Sequence, residues 1–171
     1  MAIDREDSPY RRGNRYTRLP IAMVPEHCVS VDAGPVRFVV EARRLTDAVV
    51  EAEFDGEVDT TIGFDDGGAS LHVCGTADGL EHLRFDCFEN EPHYHYIDQA
   101  AGANTIVRID ELAVGDPTEF TLTAVERHLP DMLRHSAPEG LADQVAAQEH
   151  KVVEALAEVR VLMDRAALPQ T

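Results

Sequence analysis

Histidine, aspartate and arginine gather in one short stretch of this chain, Arg84-Phe85-Asp86-Cys87-Phe88-Glu89-Asn90-Glu91-Pro92-His93-Tyr94-His95-Tyr96. Successive side chains of a strand point to opposite faces, so in extended chain His93 and His95 share one side while Tyr94 and Tyr96 share the other. The preceding segment splits likewise, with Leu83, Phe85 and Cys87 apolar and His82, Arg84 and Asp86 polar. Pairing that is symmetric about a loop from Glu89 to Pro92 sets Asp86 across from His95 and Arg84 across from Ile97. The same exercise about the turn from Gly75 to Leu80 brings His72 beside Arg84. The spacing therefore predicts a polar patch of His72, Arg84, Asp86, His93 and His95 on one sheet face, with Glu89 and Glu91 at its rim.

Such a patch has the parts for two chemistries. Imidazole and carboxylate ligate Zn²⁺, Fe²⁺ or Mn²⁺, and His93 and His95 with Asp86 or Glu91, and His72 close by, make a three-ligand site with open positions. Without a metal, His93 and His95 can act as acid and base while Asp86 orients an imidazole and Arg84 stabilises an anionic substrate, the toolkit of a metal-free phosphodiesterase or ribonuclease. The candidate catalytic residues are thus Arg84, Asp86, His93 and His95, the candidate ligands are His72, Asp86, Glu91, His93 and His95, and the candidate cofactor is a divalent metal. A solvated polar face with surface histidines would produce the same letters. His27, His128, His135 and His150 lie in separate segments and are expected to be structural. No P-loop, dinucleotide fingerprint, nucleophile elbow, H-E-x-x-H or calcium-loop pattern occurs.

The elements that must position the patch are short. Strands are expected near residues 36–44, 49–54, 60–64, 70–74, 81–88, 93–98 and 105–109, where β-branched and aromatic residues run between glycines. Asp55-Gly56, Asp65 to Gly68 and Asp78-Gly79 supply turns too short for parallel crossovers, so the sheet is expected to be an antiparallel meander. After Leu112 alanine, glutamate and leucine replace glycine. Asp116-Pro117 resembles a helix start, although residues 118–123 also fit a last strand, and Pro130 is expected to start a new turn or kink the helix spanning 124–135. From Pro138 to about Leu168, Val145, Val152, Ala155, Val159, Leu162 and Ala166 recur at helical spacing and predict one long helix closed by Pro169. Such a helix of about 42 Å would overhang a small sheet and could pair with a second copy.

The chain has 171 residues, 44% hydrophobic and 27% charged, which suits one folded α+β domain: an antiparallel sheet followed by C-terminal helices packed on one face. It divides into a basic arm (1–19, with Arg5, Arg11, Arg12, Arg15 and Arg18), a sheet region (20–112) and a helical region (113–171). A formal charge of −17 disfavours nucleic acid and anionic lipid as partners. No apolar run is long enough to span a bilayer, and Asp4, Glu6 and Asp7 occupy the place of a secretory signal, so a cytoplasmic location is expected. Cys28, Cys74 and Cys87 are odd in number and lack C-x-x-C spacing, which fits a reducing compartment and neither a disulfide framework nor a zinc knuckle.

The H-x-H of His93 and His95 after a β meander resembles the first metal-binding motif of cupins, with Cys87 where those have glycine and Gln99 and Ala100 where they have glutamate. Arg84-Phe85-Asp86 followed by Pro92-His93-Tyr94-His95 is similar to R-[FY]-D…P-H-x-H segments of small bacterial families, some of which look like toxin halves of toxin-antitoxin pairs. That resemblance implies a polar site of Arg84, Asp86, His93 and His95 and a protein partner. The whole chain looks like a member of a bacterial domain family of unknown function. Two functions are therefore expected: a small-ligand or divalent-metal site on the sheet, hydrolytic if enzymatic, or a non-catalytic interaction protein that self-associates or binds a partner through its long C-terminal helix.

Overall fold

Alternating apolar residues and glycine turns build one antiparallel sheet from the first two-thirds of the chain, and helices from the last third close over one of its faces. The computed structural model describes residues 12–54 and 63–167. The strands are β1 (Asn14–Tyr16), β2 (Cys28–Ala33), β3 (Val36–Thr46), β4 (Asp65–Gly75), β5 (Glu81–Phe88), β6 (His93–Asp98) and β7 (Ala103–Arg108). From β2 to β7 each strand pairs with its neighbour in sequence, the expected meander, and β1 adds to the outer edge of β7 in the order β1-β7-β6-β5-β4-β3-β2. The helices are α1 (Asp47–Phe54), α2 (Glu111–Val114), α3 (Pro117–Ser136), α4 (Leu141–Ala147) and α5 (Glu149–Ala166). This is the expected α+β class. Among the described residues no helix is long and apolar enough to cross a membrane.

Alternation decides what each sheet face buries. Phe38 and Val40 of β3, Leu71 and Val73 of β4, and Leu83 and Phe85 of β5 point to one side and meet Leu129, Leu133, Val152, Val159 and Met163 of α3 and α5. Each such burial contributes about 1.5 to 3 kcal/mol. The Asp116 carboxylate accepts from the Glu119 amide at 2.9 Å to start α3 with Pro117 in its first turn, so residues 118–123 are helix rather than strand, and α3 continues through Pro130 to Ser136.

Four expectations need correction. Residues 49–54 are helical, because Ala48, Glu51 and Ala52 outweigh the valine pair and Asp47 secures the first turn by accepting from the Phe64 amide at 2.6 Å. Asp65 to Gly68 open β4 instead of turning. A Cβ on Gly68 would come within 2.5 Å of the Cys87 carbonyl oxygen, so glycine here permits a close approach of two strands. Strand β2 was not foreseen among its mixed polar residues. The long C-terminal helix is divided at Gln148, whose φ of −129° and ψ of 32° leave helical geometry, so that α4 and α5 bury Val145, Val152, Ala155, Val159 and Met163 within this fold. The Asp55-Gly56 turn, residues 60–62 of the strand expected at 60–64, and residues 1–11 of the basic arm lie outside the described residues.

The face away from the helices is polar and still buried. Glu41, Arg43, Ser70, His72, Arg84, Asp86, His95 and Asn104 are each less than 9% exposed there. Their cover is the segment 18–24. Arg43 and Arg84 both donate to the Ile21 carbonyl, Arg43 also donates to the Ala22 carbonyl, Asn104 donates to the Arg18 carbonyl, and the Val24 amide donates to Glu41. Buried charge thus also anchors the chain's own lid, which otherwise would carry unsatisfied carbonyls.

Candidate metal centre

Register places the site. Asp86 pairs with His93 and Arg84 with His95, while His72 faces Arg84 as expected from the Gly75 to Leu80 turn. The expected partners Asp86 with His95 and Arg84 with Ile97 are therefore off by two residues. The loop causes the slip: the Asp66 carboxylate accepts from the Asn90 amide at 3.0 Å and the Glu91 amide at 2.8 Å, pulling the loop toward β4. A two-residue slip preserves the side-chain faces, and the polar residues still gather.

The structure brings Asp86, His93 and His95 together, with one ligand atom from each lying within 4.8 Å of the others. Asp86 Oδ2 is 3.2 Å from His93 Nε2 and 3.1 Å from His95 Nε2. Donors about 2.05 Å from a metal and subtending roughly 100° would be about 3.1 Å apart. The other carboxylate oxygen, Asp86 Oδ1, accepts a hydrogen bond from the Ser70 hydroxyl.

Outer hydrogen bonds place a proton on Nδ1 of both rings. His93 Nδ1 lies 2.7 Å from the Glu91 main-chain carbonyl, which can only accept, so Nδ1 is the donor. His95 Nδ1 lies 2.9 Å from Asn104 Oδ1, and Asn104 Nδ2 donates to the Arg18 carbonyl at 2.7 Å, which orients the amide oxygen toward the histidine. A neutral imidazole with its proton on Nδ1 presents a lone pair at Nε2, and the Nε2 atoms of both rings converge on one carboxylate oxygen. Such an arrangement requires positive charge between them, as a metal ion or as protons. Burial opposes charge on Asp86, but hydrogen bonds from His93 and His95 and the nearby Arg84 guanidinium hold its carboxyl well below the usual range. Burial lowers the His93 pKa, while Asp86 more than compensates and raises it.

His72 and Glu91 stand differently. His72 Nδ1 and Nε2 are 2.6 Å from Glu81 and 2.9 Å from Glu41, so both nitrogens are engaged away from the triad. Burial works against its charge, but the two carboxylates raise its pKa. Glu91 is exposed and meets the site through its carbonyl. Arg84 pairs with Glu81 through Nε and Nη2 at 2.7 and 2.8 Å. Glu41, Arg43, Ser70, Glu81 and Asn104 were not singled out from the sequence, although their alternation with apolar neighbours places them on this face. All three cysteines are free thiols, and burial pushes the Cys74 thiol up to about 12.

Residues 30–162 match the family model described as Domain of unknown function (DUF7700), and the chain belongs to that family. Comparison with curated proteins and with solved structures returns no match.

Proposed function

We propose that this member of the DUF7700 family binds one divalent transition metal, zinc, iron or manganese, through Asp86 Oδ2, His93 Nε2 and His95 Nε2. The observation that carries the reading is the convergence of two imidazole Nε2 atoms on one carboxylate oxygen, each imidazole oriented from behind by an oxygen acceptor at Nδ1. Two histidines and one carboxylate suit these metals and leave coordination positions for water and a small ligand. A metal held this way polarises what it binds and lowers the pKa of bound water, which supports hydrolytic chemistry. Asp86 supplies the negative charge, Ser70 keeps its second oxygen occupied, and the segment 18–24 excludes water from one flank.

The test is metal titration of chelator-treated protein. One metal per chain in the parent and loss of that site in both His93→Ala and His95→Ala support the reading. No metal uptake, or uptake unchanged in those variants, refutes it.

A further inference from the structure

The triad is covered unevenly. Asp86 and His95 side chains are 2% and 7% exposed, whereas that of His93 is 18% exposed. Toward His95 the site is closed by Asn104 and the Arg18 and Ile21 carbonyls. The Phe88 ring stands edge-on to His93 with centroids 5.6 Å apart and walls another side. The Ile109 amide donates to the Pro92 carbonyl at 2.9 Å, tying the Glu89 to Pro92 loop to the end of β7. Among the described residues, access therefore lies over the paired ends of β6 and β7 beside His93.

Arg108 stands at that end, as the last residue of β7. It is the direct β7 partner of His93 and so shares its face. Directly opposed residues have Cβ atoms about 4.5 to 5.5 Å apart, which brings the longer side chain within reach of a ligand on its neighbour. Arg108 is exposed and, among the described residues, has no hydrogen-bond or ion-pair partner. Arg43 and Arg84 are by contrast tied to Glu41, Glu81 and main-chain carbonyls. The nearby Asp110 carboxylate accepts from the Leu112 amide and caps α2.

We propose that Arg108 and the metal together bind a small oxyanion, a carboxylate or a phosphate, with one oxygen on the metal and another on the guanidinium. The inference rests on the metal site proposed above. A guanidinium fork matches both anions and gives stronger hydrogen bonds than a neutral donor. Glu89 and Glu91 carry negative charge on the adjoining loop, which opposes polyanions that would extend past the metal and Arg108 over that loop.

Zinc-loaded full-length protein is titrated with oxalate and, separately, with inorganic phosphate, in the parent and in Arg108→Gln, after zinc affinity has been measured for both. The expected result is one oxyanion per chain, at least about tenfold weaker in Arg108→Gln, with zinc affinity unchanged. Preference for oxalate assigns a carboxylate and preference for phosphate a phosphoryl group. Zinc binding with neither anion bound, or with equal anion affinity in the variant, overturns the Arg108 assignment alone. Failure to bind zinc overturns it together with the metal reading.

Discussion

Asp86 of β5 and His93 of β6 stand directly across from one another, with Oδ2 and Nε2 3.2 Å apart, while His93 commits its other nitrogen to the Glu91 carbonyl. Asp86→Asn keeps the shape and replaces an anionic oxygen with a neutral amide. Divalent metal affinity should fall by more than about 100-fold, beyond the usual 10- to 100-fold effect of an outer-shell change. Competition titration against a chromophoric chelator measures the difference.

At the proposed metal site Asn104 would act through His95, whose Nδ1 it faces at 2.9 Å. Asn104→Leu removes the acceptor that holds Nδ1, and affinity should fall about 10- to 100-fold, whereas Asn104→Asp keeps an acceptor there and should retain most of it. A purely structural role would instead make the aspartate variant as poor as leucine, because aspartate cannot donate to the Arg18 carbonyl.

Acid should weaken the fold through Glu81. Burial raises its pKa, but Arg84 and His72 outweigh burial and bring it from 4.5 to about 2. A carboxyl depressed in the folded state stabilises the fold above its unfolded pKa, and this contribution is lost as pH falls from about 4.5 toward 2. Its size is on the order of 3 kcal/mol. Urea unfolding between pH 6 and 3 should show this fall in the parent and a shallower one in Glu81→Gln.

Packing under the helices should respond very differently from the helix surface. Phe85 is fully buried and Val161 is 48% exposed. Phe85→Ala should cost about 3 to 5 kcal/mol, whereas Val161→Ala should stay within about 0.5 kcal/mol. Denaturant midpoints at fixed pH compare them.

Side-chain alternation made the site legible in the sequence. It assigned Asp86, His93 and His95 to one face and Tyr94 and Tyr96 to the other, and this survived a register error because the slip was two residues. Register itself was hidden, since it depends on Asp66 gripping a loop 24 residues away. The covering segment 18–24 was hidden for a related reason. Its carbonyls bind Arg43, Arg84 and Asn104 from distant strands, and local residue types carry no trace of that docking. The division between α4 and α5 at Gln148 was illegible because apolar spacing continues from Val145 to Val152 across the break.

Anomalous diffraction at the zinc edge, from crystals grown with one equivalent of zinc, addresses the proposed metal centre most directly. The account predicts a single strong peak about 2.0 to 2.2 Å from Asp86 Oδ2, His93 Nε2 and His95 Nε2. Electron density showing those three atoms in direct hydrogen-bonded contact, with zinc elsewhere or absent, would contradict it.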